Sequence, residues 1–228
     1  MQRAITSSNS IISHRSSHCS YGAYRGGVAL SESNLRMDEM QQQITEYSAR
    51  LSAALAMPAI KQVPQLAQAF KTAWDNKKTI YLCGNGGSAG NAIHLANDFL
   101  YGAGLTRGIG LRIESLAANA AVLTCLANDI GYEEIYAEQL RVKANAGDVL
   151  VVFSGSGNSP NVVRALEMGN KLGMETFAIL GYSGGKCKDL AKHPLHFEIN
   201  DMQIAEDLQL IIGHMIMQWL CSDATSGK

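Results

Sequence analysis

Two short runs of glycine and serine constrain this chain more than any other feature, because each follows a β-branched apolar stretch and opens a helical one. Thr79-Ile80-Tyr81-Leu82-Cys83 runs into Gly84-Asn85-Gly86-Gly87-Ser88, and Val149-Leu150-Val151-Val152-Phe153 runs into Ser154-Gly155-Ser156-Gly157-Asn158-Ser159. Glycine lets the backbone turn sharply and approach a ligand closely. Free N–H groups at a helix start, with serine hydroxyls beside them, favour phosphate oxygens. Strand, loop and helix occurring twice in this form predict a phosphorylated small molecule bound between the two loops.

The rest of the chain supports that frame. Apolar positions Ile44, Tyr47, Leu51 and Leu55 recur at helical spacing over about 38–57, Pro58 interrupts, and a second helical pattern covers 63–74. Beyond them, strand patterns at 79–83, 109–113, 148–153, 175–180 and 194–199 alternate with helical ones near 88–101, 117–126, 133–143, 160–172 and 202–221. Such alternation implies β-α-β crossovers and a parallel sheet covered by helices on both faces, with ligands at the carboxyl ends of the strands. The fold class is α/β, a three-layer αβα sandwich with an N-terminal helical segment.

Composition narrows the function classes. A length of 228 residues with 46% hydrophobic and 17% charged content suits one domain with a full core. A net charge of −1 gives no reason to expect nucleic-acid binding, and no apolar run approaches the roughly 20 residues that span a bilayer. Five scattered cysteines without a Cys-x-x-Cys pair argue against a disulfide framework and a cysteine zinc knuckle, and for a reducing cytoplasm. Residues 1–36 differ from the remainder, with nine serines, four arginines and one acid, Glu32. Such composition is shared with organellar transit segments, but helical periodicity is missing, so 1–36 is read as a disordered or non-native extension. The helical segment then occupies 37–76, the sandwich 77–222 and a tail 223–228.

Individual motifs differ in what they specify. Gly84, Gly86 and Ala89 match the dinucleotide pattern G-x-G-x-x-[GA], but the nearest suitable acid, Glu114, lies 30 residues on, rather than about 20. The second loop ends in Ser159-Pro160, a cap serine followed by proline at the first helical position. His94 and Asp98 are four residues apart, hence on one helix face. His214 sits in the apolar run Leu210–Met217, beside Gly213, where a histidine serves either packing or chemistry. His193 and His196 have no partner spacing and read as structural, and Lys186 reads as a solvated loop lysine.

Taken together, Cys83-Gly-Asn-Gly-Gly-Ser88 with His94, Ala127-Asn128-Asp129-Ile130-Gly131, the serine loop, and a C-terminal helix carrying His214 resemble the sugar isomerase (SIS) domain family over residues 40–221. Within that family the likeness is to the phosphoheptose isomerase group. The resemblance implies a five-stranded parallel sheet and a homotetramer with active sites at subunit interfaces. It assigns the phosphate to Ser154, Ser156 and Ser159, and the sugar to Asn85, Gly86, Gly87, Ser88, Asn128 and Asp129.

Carried over further, it makes Asp98 the base of a ketose–aldose isomerisation through an enediol, with His214 as the acid, a division of labour suited to proton transfer between adjacent carbons. Some members bind zinc, and the matching positions are His94, Asp98, Glu206 and His214. Two departures stand out. Asp98 replaces a glutamate and is one methylene shorter, a displacement that can cost on the order of 100-fold in rate. Glu206 replaces a glutamine, and at about 100° per residue it lies about 80° from His214 around the helix, against about 20° for Asp207. The expected activity is conversion of sedoheptulose 7-phosphate to D-glycero-D-manno-heptose 7-phosphate. The alternatives are a non-catalytic SIS tetramer that senses a sugar phosphate or binds a replication initiator, and a nicotinamide-dependent dehydrogenase.

Overall fold

In the computed structural model the described residues are 28–223, with side chains described over 36–105 and 108–222. The expected extension over 1–36, with His14 and His18, therefore falls mostly outside them, as does the expected tail over 223–228 apart from Asp223, which ends the last helix. The elements are α1 (Val28–Leu55), α2 (Val63–Asp75), β1 (Thr79–Gly84), α3 (Gly87–Asn97), α4 (Gly104–Arg107), β2 (Arg112–Ser115), α5 (Ala120–Asp129), α6 (Ala137–Lys143), β3 (Val149–Ser154), α7 (Pro160–Lys171), β4 (Glu175–Leu180), α8 (Gly185–Leu190), β5 (His193–His196) and α9 (Met202–Asp223). Two compact units divide between Glu46 and Tyr47, within α1. The second unit carries the sheet and both loops.

All strand pairs are parallel, in the order β2-β1-β3-β4-β5. Side chains alternate across the sheet with the period of two that a pleated strand imposes. Ile80, Leu82, Val149, Val151, Phe153, Phe177 and Ile179 join one core with residues of α2, α3 and α9. Tyr81, Cys83, Leu150, Val152, Ala178 and Leu180 join a second core with residues of α6, α7 and α8. Burial on both faces explains why β1 and β3 read as unbroken apolar runs instead of alternating ones. The strand order reverses direction between β1 and β3, which is the switch point where open α/β sheets bind ligands. Both glycine loops leave the sheet at that crevice.

Several boundaries depart from the sequence reading. β2 spans 112–115, not 109–113, because Leu111 N–H donates to the Phe99 carbonyl at 3.1 Å and holds that stretch off the sheet. β5 ends at His196, and the backbone turns at Phe197–Ile199, where Ile199 N–H donates to the Phe197 carbonyl. The helix expected over 117–126 starts at Ala120, capped by Asn119, whose Oδ1 accepts from the Val122 N–H at 3.2 Å. That over 133–143 splits into a 3₁₀ turn at Tyr132–Glu134 and α6. The stretch 88–101 divides into α3 and a π turn at Asp98–Gly102. Six-residue α8 went unforeseen: it is too short to show a period. α1 starts at Val28, earlier than the helical segment placed at Met37.

Candidate active site

The first loop is shaped by glycine where nothing else fits. Gly86 has φ of 55° and ψ of −124°, in the region L side chains avoid. A Cβ on Gly87 would run into the carboxylate of Glu206. The Tyr136 hydroxyl donates to the Gly84 carbonyl at 2.5 Å from beneath the loop, and burial pushes the Tyr136 phenol well above its usual range, so it stays a donor. Ser88 does not face the crevice as expected of a sugar contact. It is buried in the seam between α3 and α9, where its Oγ accepts from Gln209 Nε2 at 3.1 Å. Gln209 in turn accepts from Asn91 Nδ2 at 2.9 Å.

The second loop turns its hydroxyls on its own backbone. Ser154 Oγ accepts from the Gly157 N–H at 3.0 Å, and Ser156 Oγ accepts from the Asn158 N–H at 3.3 Å. A hydroxyl that accepts from the backbone still has its proton to donate. Ser159 occupies the cap position of α7 but makes no side-chain capping bond, contrary to its reading as the cap. Gly157, at φ 66°, packs directly on the Gly184 carbonyl, and Cys187 N–H donates to the Gly157 carbonyl at 2.9 Å. Lys186 N–H reaches Asn158 Oδ1 at 3.1 Å, so α8 buttresses the loop.

Packing of α3 on α9 unites the titratable groups. A Cβ on Gly213 would collide with the Leu95 side chain, so glycine allows the close approach. His94 Nε2 then lies 3.1 Å from His214 Nε2, and Asp98 Oδ2 lies 3.3 Å from His94 Nε2 and 3.5 Å from His214 Nε2. Asp98 begins the π turn, a local widening often found at functional sites. His214 is thus no packing residue: both histidine side chains are nearly half exposed, at 49% and 45%. Among the described residues these three form a group able to hold a metal ion. Zinc–nitrogen and zinc–oxygen bonds of about 2.0–2.2 Å in a tetrahedron set neighbouring donors roughly 3.3–3.5 Å apart, close to the three separations observed. The donor set fits zinc. Glu206 is not in that group, and its carboxylate lies against Gly87 instead.

Asn128 and Asp129 are exposed at the end of α5, where Asn128 Nδ2 donates to Asp129 Oδ1 at 2.8 Å. The Cys125 thiol donates to Asp129, and that bond raises the thiol above its usual range. Glu114 sits within β2, opposite Tyr81, and pairs with Lys143. It is therefore not an acid waiting at a strand end for a ribose. His193 bonds Gln65 and Glu175, and His196 Nε2 bonds the Tyr182 carbonyl at 2.8 Å, in keeping with structural roles. Asn161 and Tyr132, both bonded to Asn85, were missed because single polar residues in a helix and a turn carry no spacing signal.

Comparison with known proteins gives the family and the fold. A family model described as SIS domain matches residues 42–181. The chain is 33% identical over 209 residues to a phosphoheptose isomerase of Chlorobaculum parvum, covering 90% of this chain and 95% of the relative. It is 39% identical over 142 residues to that of Helicobacter pylori strain P12, covering 62% and 73%. Among solved structures, a phosphoheptose isomerase from Francisella tularensis superposes with a TM-score of 0.74 at 25% identity, over 82% of this chain and 98% of that one. One from Neisseria gonorrhoeae gives 0.68 at 27% identity, over 80% and 99%.

Proposed function

Since this chain belongs to the SIS domain family, in its phosphoheptose isomerase group, we propose that the crevice between its two glycine loops performs the reaction for which relatives are named. The chain is an aldose–ketose isomerase acting on sedoheptulose 7-phosphate. The observation that carries the assignment of residues is the triangle of His94, Asp98 and His214 beside the first loop, with a serine loop across the switch point.

The serine loop takes the phosphate, through the hydroxyls of Ser154, Ser156 and Ser159. Asn85, Gly86 and Gly87 border the sugar, with Asn128 and Asp129 at the rim. Asp98 removes a proton from C1, the C1–C2 double bond of the enediol forms, and the carbonyl oxygen on C2 takes a proton from His214. In the second half His214 recovers a proton from the O1 hydroxyl as C1 becomes the aldehyde, and Asp98 returns its proton to C2. Protons and charge balance over the cycle, with each group restored. Zinc held by His94, Asp98 and His214 would supply Lewis-acid polarisation of the sugar oxygens. Glu206, the remaining candidate ligand, would join only by leaving Gly87.

We further assign a cytoplasmic homotetramer whose subunits cover these sites. Ile93 and Met215, next to His94 and His214 in sequence, expose 43% of their surface each, and Trp219 exposes 40%. A second copy would shield them and dry the site. Light scattering should give four chains per particle. No helix among the described residues is long and apolar enough to cross a membrane.

The decisive experiment is proton NMR of the protein with sedoheptulose 7-phosphate in D₂O, with and without zinc. An aldose signal is expected, with deuterium at C2 of the aldose and, by return of the enediol, at C1 of the ketose. Binding of the sugar phosphate without either signal would favour the sensing or partner-binding alternative. Calorimetry should also show zinc uptake that disappears in His94→Ala.

A further inference from the structure

The two loops are joined by a polar link that the reaction scheme does not use. Asn161, in the first turn of α7, is 1% exposed. Its amide and that of Asn85 bond reciprocally: Asn85 Nδ2 donates to Asn161 Oδ1 at 2.8 Å, and Asn161 Nδ2 donates to Asn85 Oδ1 at 2.7 Å. Asn161 Oδ1 also accepts from the Val162 N–H at 3.0 Å, and Asn85 Oδ1 accepts from the Tyr132 hydroxyl at 3.1 Å. Asn161 is buried and Asn85 half-buried, and with these bonds made the amides are expensive to disturb, since a broken bond leaves a desolvated partner. Neither amide can rotate by half a turn without setting donor against donor.

Placement gives the link its meaning. Asn161 is two residues after Ser159, on the helix that continues the serine loop, so a shift of that loop moves Asn161 as well. Asn85 stands between Gly84, held by Tyr136, and Gly86, which holds a positive φ. β1 and β3 run side by side beneath the two loops, with Gly84 opposite Phe153, and above that strand pairing the amides of Asn161 and Asn85 join the loops side chain to side chain. We propose that Asn161 is a positioning residue: seating a phosphate on Ser154–Ser159 orders the Asn85–Ser88 loop through the paired amides of Asn161 and Asn85. The phosphate end of the substrate thereby sets the loop that borders its reacting end, so binding energy far from the chemistry is spent on orientation. This rests on the division of phosphate and sugar between the loops proposed above.

The test is amide hydrogen exchange on the full chain with inorganic phosphate and, separately, sedoheptulose 7-phosphate, alongside turnover. In the wild type, both ligands should slow exchange over 154–160 and over 84–90. In Asn161→Ala, protection by phosphate should persist over 154–160 and vanish over 84–90. Turnover number should fall about tenfold or more, with phosphate affinity within about twofold of wild type. Asn161→Ser keeps an uncharged acceptor for the Val162 N–H and loses the amide pairing with Asn85, so it should fold and repeat the loss of protection over 84–90. Equal protection of 84–90 in both variants and wild type overturns the proposal, as does wild-type protection confined to 154–160. A wild type that couples both loops without isomerising would leave this inference standing and sink the isomerase reading. Turnover with protection confined to the second loop would do the reverse, and no protection at all would overturn both.

Discussion

The two glycine loops look alike in sequence and are built for different work. In the first, glycine makes room for side chains: Gly87 admits the Glu206 carboxylate, and the helix it opens carries His94 and Asp98 to His214. In the second, glycine makes room for backbone: Gly157 abuts the Gly184 carbonyl, and the serines tie the turn to itself. One loop begins a helix that leads to the groups proposed to transfer protons, and the other is a braced set of neutral hydroxyls proposed to hold the phosphate. The difference teaches that a strand–glycine–helix unit sets a place for a ligand, while the packing around it decides whether that place holds or reacts.

If this division is right, variants on the two sides should separate turnover from affinity. His214→Ala removes the proposed acid, and a loss of about 10²–10⁴ in turnover number is expected with little change in KM. Ser156→Ala removes one hydroxyl bonded to a charged phosphate, worth about 1.5–3 kcal/mol, so KM should rise about tenfold or more with turnover number nearly kept. Steady-state kinetics of both variants decide it. A His214 variant that fails mainly in KM, or a Ser156 variant that fails mainly in turnover, breaks the comparison.

Much of this was legible beforehand. The long apolar runs of β1 and β3 and the glycines after them are strong local signals, and they place the crevice at the switch point. The pairing of His94 with Asp98 follows from helical spacing alone. What could not be read was anything set by packing between distant elements. The 3.1 Å approach of His94 to His214 depends on Gly213 receiving Leu95 across 118 residues of sequence. Ser88 turned into the helix seam because Gln209, on another helix, offered it a donor. β2 slipped three residues because Leu111 found the Phe99 carbonyl, which no strand propensity encodes.

The bracing of the second loop gives a smaller, structural expectation. Gly157→Ala would meet both a positive φ and the Gly184 carbonyl. Overpacking of this kind costs about 1–3 kcal/mol, with backbone strain in addition. Thermal denaturation should show the loss, and sugar phosphate should recover part of it by binding the folded form. Unchanged melting would mean that α8 does not support the loop.

The smallest effect concerns the serine whose role the comparison leaves purely to the ligand. Ser159 occupies the cap position of α7 without bonding it, whereas Asn119 caps α5 through its Oδ1. A cap that bonds is worth about 1 kcal/mol, and one that does not should be worth a few tenths at most. Ser159→Ala should therefore leave the unfolding free energy within about 0.5 kcal/mol of wild type, while Asn119→Ala lowers it by about 1 kcal/mol. Pro160 follows at the first helical position, where its fixed φ already suits the helix and no N–H is lost, so α7 has a start that does not depend on the serine. A hydroxyl that makes no capping bond suits the phosphate role proposed for Ser159, and its removal should appear as a rise in KM smaller than that of Ser156→Ala. Chemical denaturation beside kinetics reads both quantities, and a stability loss equal to that of Asn119→Ala would return Ser159 to the ordinary work of capping.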